Sequence, residues 1–291
     1  MRPPAETTAI FVADGAAMQA QGLLLAHSLR RHGGAGLAVI AYVPEGAEPP
    51  DAAMRAGYAA VGARLEPLET PAIWKKPFPH GNKIHACCAA RDRPATLFLD
   101  TDTVLIRALD TAAIAPGARI AAVPEGKPTW GKGNDRWDRV YAHFGLPLPT
   151  DRVRLVRGRR REFLPYFNAG FIAFAEDGAF ARGWRDTARE IDHKVSVAQK
   201  RPWLDQVALP VSCARAGRRI GVLDERYNYS ISDRAPGNET PVLLHYHRMS
   251  YCAAWPAWAG AYAALRSDLG ADLPRAARAV LDRGLPDAAD G

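Results

Sequence analysis

Through the first hundred residues, short β-favouring runs alternate with amphipathic helical stretches, and that alternation restricts the chain to a sheet flanked by helices. Residues 8–13 read as a strand and 19–31 as a helix, closed by His32-Gly33-Gly34. Residues 37–43 form a second strand, 51–58 a helix and 63–68 a third strand. A helix over 82–92 then feeds the wholly apolar run Ala-Thr-Leu-Phe-Leu at 95–99. Such a run predicts a buried strand, and the alternation as a whole an α/β fold with a parallel or mixed sheet carrying helices on its faces. At 291 residues and 48% hydrophobic content, the chain can bury a core of that size.

Further along, 120–123 and 166–174 read as strands, 178–191 and 203–214 as helices, and 220–223 and 242–245 as short late strands. Between them, 125–162 is rich in Gly, Pro and Arg, with one helical piece around 135–144, and reads as a lid or substrate loop inserted in the domain. Alanine-rich helical segments follow from 253 and end in a polar tail. With no internal repeat or linker, the expectation is one domain over 1–252 and a C-terminal helical extension over 253–291.

The net charge of +7 attracts anionic partners such as nucleotide sugars, phospholipids or nucleic acid. Its densest cluster is Arg152, Arg154, Arg157, Arg159, Arg160 and Arg161. No aromatic residues interleave with these arginines, which argues against nucleic acid. Two readings stand for the cluster: a solvated loop, or a contact with phosphate or acidic lipid. The four cysteines, Cys87, Cys88, Cys213 and Cys252, show no metal or disulfide spacing and fit a reducing compartment. The apolar stretch before Asp14 is too short for a signal core or a membrane span. The expectation is a cytoplasmic protein, with room for peripheral contact at the inner face of a membrane through Arg152–Arg161.

Chemistry is sought at the carboxyl ends of strands, where open α/β sheets bind ligands. There the run 95–99 delivers Asp100-Thr101-Asp102. Two carboxylates at i and i+2 past a buried strand suit a hard divalent cation bridging diphosphate oxygens. Asn168 is a polar side chain in an apolar strand and requires a defined hydrogen-bond partner. Asp205 and Gln206 open a helix, where an Asp commonly caps free N–H groups. His245 and His247 lie two apart in a late strand, so alternation places both on one face and leaves the choice of ligand open.

These segments, in this order, resemble the retaining glycosyltransferases that include glycogenin, the bacterial lipopolysaccharide galactosyltransferases and the galactinol synthases. The strand Ile10-Phe11-Val12-Ala13-Asp14 and the helix ending in His27-Ser28-Leu29-Arg30-Arg31 are similar to that family's opening nucleotide-binding unit. Asn82-Lys83-Ile84-His85 matches the helix whose lysine approaches the donor, and Asp100-Thr101-Asp102 matches the metal motif. Tyr166-Phe167-Asn168-Ala169-Gly170-Phe171 matches the strand whose asparagine faces the donor sugar. Leu204-Asp205-Gln206 matches the pair near the anomeric carbon, and Tyr227-Asn228-Tyr229 a later signature. One departure follows the histidines: the family's glycine and phosphate-holding lysine are absent, and Arg248 stands nearby as the replacement clamp.

The resemblance implies a single GT-A-type domain whose central sheet is mixed and mostly parallel with helices on both faces, and which transfers a sugar, with retention, from a nucleotide-sugar, with UDP as the expected nucleotide. It implies Mn²⁺ or Mg²⁺ on Asp100, Asp102 and His245, with His247 as the alternative to His245. Lys83, Asp100, Ala13, Asp14 and Arg248 are the implied nucleotide-sugar contacts, and Asp205, Gln206 and Asn168 surround the reacting sugar. The acceptor is an unidentified glycan, lipid or protein, and Trp130 and Trp137 have two readings, stacking on it or packing within the lid. A binding protein that has lost transfer is one alternative. A sugar nucleotidyltransferase is another, although Asp14-Gly15-Ala16-Ala17-Met18 is not that class's glycine-rich phosphate loop.

Overall fold

The computed structural model describes residues 6–34, 36–114, 120–157, 160–176 and 178–286; Arg159 and the tail 287–291 lie outside them. In chain order the strands are β1 (Thr7–Val12), β2 (Leu37–Pro44), β3 (Arg64–Leu68), β4 (Ala95–Leu99), β5 (Thr103–Leu105), β6 (Ile120–Pro124), β7 (Val153–Arg154), β8 (Glu162–Phe163), β9 (Phe167–Ala175), β10 (Gly221–Val222), β11 (Tyr229–Ser230) and β12 (Leu243–His245). The helices are α1 (Gly15–His32), α2 (Ala52–Ala60), α3 (Asn82–Cys88), α4 (Thr111–Ile114), α5 (Arg136–His143), α6 (Ala179–Lys194), α7 (Leu204–Arg215), α8 (Pro256–Leu269) and α9 (Arg275–Leu281).

Seven strands make the central sheet, in the order β10-β6-β9-β4-β1-β2-β3. Only β9 runs against its neighbours β4 and β6; the other pairs are parallel. Successive side chains of a strand point to opposite faces, and here both faces are covered. Ala9 and Phe11 of β1 join a core with Leu23 of α1, Trp258 of α8 and Leu281 of α9. Ile10 and Val12 join the opposite core, with Ile84 of α3, Trp184 of α6 and Val207 of α7. The complete burial of β1 and β4, threonines included, follows from this double coverage.

A three-stranded sheet, β11-β12-β5, sits beside the first. Its short strands carry little local signal, and β5 and β11 are additions to the sequence reading. β5 follows Asp102 directly, and its antiparallel register sets His245 of β12 opposite Thr103. Pairing therefore brings a histidine from late in the chain next to the early carboxylates.

Helix α3 stops at Cys88, four residues short of the expected end. The Arg91 guanidinium explains the stop: it donates to the carbonyls of Ala86 and Cys87, both at 2.8 Å, which a continuing helix would fill with backbone N–H groups. The same guanidinium pairs with Glu176 just beyond β9.

Segment 125–162 is built around buried aromatics. Trp130 and Trp137 meet edge to face at 4.9 Å, with Tyr166 against Trp137 at 5.7 Å. Both tryptophans are buried, so of the two readings packing holds, and neither is available to stack on a sugar. At the other end of the chain, α8 and α9 pack on α1 through Tyr262, Leu265 and Ala277. Among the described residues, no helix is long and apolar enough to cross a membrane.

Candidate active site

The carboxyl ends of β1 and β4 and the amino end of β9 converge on one rim of the sheet, because β9 is reversed. Asp100 leaves β4 there, its N–H bonded to the Gly170 carbonyl of β9 at 3.0 Å. Its carboxylate takes Lys83 Nζ at 2.9 Å, and the same ammonium reaches Asp205 Oδ2 at 3.2 Å. Lys83 comes from α3 and Asp205 from the first turn of α7, so one buried cation ties two helices to the end of β4. Burial disfavours an ammonium, but the two carboxylates outweigh it and hold Lys83 above its ordinary pKa. Asp205 thus serves as an ion-pair partner; no capping bond from its side chain is seen.

Asp102 lies 3.2 Å from His245 Nε2. Burial raises its pKa, yet the imidazole beside it wins and draws the carboxyl below its ordinary range. Asp100 shifts the other way, pushed up by burial, which Lys83 only partly opposes, and by the Asp102 charge. His245 and His247 stack with ring centroids 3.8 Å apart, although they do not share a strand face as expected. The strand ends at His245, and His247 has a left-handed backbone, φ 56°, which turns its ring back over its neighbour. Ligand atoms of Asp102, His245 and His247 all lie within 4.8 Å of one another. Both candidate histidines therefore belong to one cluster, while Asp100 is engaged by Lys83.

A polar chain holds this cluster from behind. His245 Nδ1 meets Asn228 Oδ1 at 2.8 Å, and Asn228 Nδ2 donates to Asn168 Oδ1 at 2.8 Å. Asn168 Oδ1 also accepts the Gly170 N–H at 2.8 Å, and its Nδ2 donates to Glu125 Oε2 at 3.1 Å. The partner required for Asn168 is thus a network rather than one group. Burial lifts the Glu125 pKa above the ordinary range. Glu125 escaped the sequence reading because a Glu between Pro124 and Gly126 looks like any loop residue. Gly170 is obligatory at the centre: a Cβ there would stand 2.8 Å from both Asp100 Oδ2 and His245 Cε1.

Two cavities flank the carboxylate pair. One of 390 Å³ contains Lys83, Asp100, Asp102, Glu125, Asn168, Asp205, Gln206 and His245 in its wall. The other, of 280 Å³, is walled by Val12, Asp14, Met18, Asn82, Phe98 and both aspartates of the pair. Asp14 precedes α1 but caps nothing there; it accepts Asn82 Nδ2 at 3.2 Å across the cavity mouth. Ala13 is fully buried, its N–H bonded to the Tyr42 carbonyl, and lines neither cavity. Arg248 is exposed and lines neither cavity as well. Gln206 Oε1 is buried in the wall without a hydrogen-bond partner among the described residues, an arrangement that favours a donor from a ligand.

The larger cavity gathers four carboxylates, Asp100, Asp102, Glu125 and Asp205, with Lys83, Lys127 and Arg157 as its cations and His80, His245 and His247 as its imidazoles. The Asp102 carboxylate beside the His245 and His247 imidazoles is a donor set that fits a divalent cation such as Mn²⁺ or Mg²⁺.

The Rhodobacterales glycosyltransferase domain family matches residues 9–217. By sequence, no curated protein matches the chain significantly. Among solved structures the chain is similar to the galactosyltransferase LgtC in complex with donor and acceptor sugar analogs, with TM-score 0.62 and 15% identity over 94% of this chain and 100% of that one. It is similar to mouse xyloside xylosyltransferase 1 in its apo form, with TM-score 0.51 and 13% identity over 82% and 97% of the two chains. It also resembles the glycosyltransferase GlyE of Streptococcus pneumoniae, with TM-score 0.56 and 13% identity over 95% of this chain and 64% of that one. These likenesses concern the fold, which is of the GT-A type expected.

Proposed function

The chain belongs to the Rhodobacterales glycosyltransferase domain family and is a glycosyltransferase, and from that membership we propose that it moves a sugar from a UDP-sugar to an acceptor with a divalent cation. The observation that carries the reading is the meeting of Asp102, His245 and His247, ligand atoms within 4.8 Å, between two cavities. Asp102 and the two histidines would hold Mn²⁺ or Mg²⁺, and Asp100, the other carboxylate of the pair, lines the same cavity. When bound, the cation offsets charge developing on the diphosphate leaving group.

The remaining roles belong to this chain's side chains. Val12, Asp14 and Asn82 wall the smaller cavity for the nucleoside, next to the buried Ala13. Lys83, fixed by Asp100 and Asp205, presents a permanent positive charge to the donor. Asn168 is immobilised by Asn228 and Glu125 and orients the sugar. Asp205 is committed to Lys83, so Gln206, whose Oε1 lacks a partner, is the group for a sugar hydroxyl near the anomeric carbon. Arg248, exposed one residue past His247 and outside both cavity walls, is the proposed clamp for the diphosphate, a role that requires its side chain to fold over the cavity. Retention of anomeric configuration is part of the proposal and is read from the product anomer by NMR.

The test is UDP release from a panel of UDP-sugars, with and without Mn²⁺. Metal stabilisation of a leaving group is worth several kcal/mol, so Asp102→Ala is expected to lower turnover on the order of a thousandfold. Undiminished turnover in that variant removes the metal from the mechanism. Nucleotide binding without UDP release from any donor reduces the chain to a binding protein.

A further inference from the structure

We propose that the acceptor carries an oxyanion, a phosphate or a carboxylate, which docks in a basic side cavity next to the donor. This rests on the glycosyltransferase reading above and names the acceptor class for that site. The side cavity measures 570 Å³ and is lined by Lys127, Pro128, Thr129, Lys132, Leu155, Arg157 and Arg161. Four cations and no carboxylate face it. It shares Lys127, Thr129 and Arg157 with the 390 Å³ cavity that holds the carboxylate pair, so a molecule bound in one reaches the other.

Pairing elsewhere in the structure makes this cavity distinctive. Arg160 and Arg234 both pair with Glu225, and Arg201 pairs with Asp192. Among the described residues, the side chains of Lys127, Lys132 and Arg161 form no ion pair. Like charges gathered in one concavity create a field that concentrates an anion. The walls are also held in place. Val156 and Arg157 donate backbone N–H groups to the carbonyls of Glu125 and Gly126, at 3.2 and 3.0 Å. The Arg157 guanidinium is anchored on Ser230 Oγ at 3.1 Å and on the Ser232 carbonyl.

In this assignment the donor's own diphosphate goes to the Asp102 cluster and the acceptor's oxyanion to the basic cavity beyond it. The 280 Å³ cavity assigned to the nucleoside shares no lining residue with the basic one, and Asp102, His245 and His247, which line the 390 Å³ cavity, are absent from the basic wall. Leu155 and Pro128 add apolar wall suited to a sugar face, while guanidinium and ammonium groups bind phosphate or carboxylate through charge-assisted hydrogen bonds.

The test uses the full chain saturated with Mn²⁺ and UDP, titrated in a calorimeter with galactose, galactose 6-phosphate and glucuronic acid. One charge-assisted hydrogen bond of roughly 1.4 kcal/mol corresponds to about tenfold in affinity. At least one anionic sugar is therefore expected to bind about tenfold more tightly than galactose. The preference is expected to vanish in K132Q/R161Q, two exposed positions outside the donor cavity, with UDP affinity unchanged. Co-sedimentation with phosphatidylglycerol vesicles, against phosphatidylcholine, distinguishes the source. Binding there that is lost in K132Q/R161Q assigns the oxyanion to a lipid-borne acceptor. No preference over galactose together with no vesicle binding overturns the proposal, as does any preference that survives K132Q/R161Q. Failure of the wild type to bind UDP with Mn²⁺ instead removes the donor reading, and the anionic preference is then measured without nucleotide.

Discussion

The smallest residue in the site is the one with least tolerance. At Gly170 an added methyl would meet Asp100, His245 and Asn168 at once. Gly170→Ala is expected to keep the native circular dichroism spectrum while turnover falls on the order of a hundredfold, the cost of displacing reactive groups by about an ångström. Asn228 has a comparable reach through one contact, since it fixes the His245 ring from the Nδ1 side. Partners behind a metal ligand typically govern 10–100-fold in affinity, so Asn228→Ala is expected to weaken Mn²⁺ binding by about that factor, measured by titration against UDP affinity. Of the residues that meet in one wall, Asp100, Asp102, Asn168, Asp205 and the histidines were legible from their places on strands and helices, and Lys83 only through the family resemblance. Glu125 was not, since its significance comes from Asn168, forty-three positions away. Nor was the overlap of the two histidines, which depends on one left-handed residue after β12.

At the scale of elements, α3 carries both the site lysine and an acid-sensitive weakness. His85 is buried with Nε2 lacking a partner, against the edge of Trp74. Burial, helped by Arg185, lowers its pKa from 6.5 to about 4. Between those values the unfolded chain binds a proton that the folded chain refuses, so stability is full above 6.5 and falls as pH drops toward 4. Urea unfolding across that window is expected to show the loss, and His85→Phe to flatten it. The sequence placed the long elements within a few residues, because periodicity and terminal glycines are local signals. It overran α3, because the Arg91 guanidinium that stops the helix also answers to Glu176, a partner beyond β9. β5, β7, β8 and β11 are two or three residues long, too short for a period to show.

Over the whole molecule, residues 253–286 are part of the core rather than an appendage. Trp258, Tyr262, Leu265 and Leu281 are fully buried against α1 and the sheet. Removing 253–291 exposes that face of α1, and the truncated chain is expected to aggregate or to lose its cooperative thermal transition in calorimetry. The longest consequence belongs to β9. A reversed strand hydrogen-bonded on both sides carries Asn168 to the rim, where its amide is held by the Gly170 N–H, Asn228 and Glu125. Segment 125–162, which contributes most of the basic cavity, enters this frame only at Glu125 and leaves it just before β9. Beyond Glu125, then, the basic cavity and the strand-borne site are built from different parts of the chain, like an interchangeable jaw against a fixed one. Remodelling the segment beyond Glu125 is expected to change what the basic cavity admits while Asn168 keeps its place on β9.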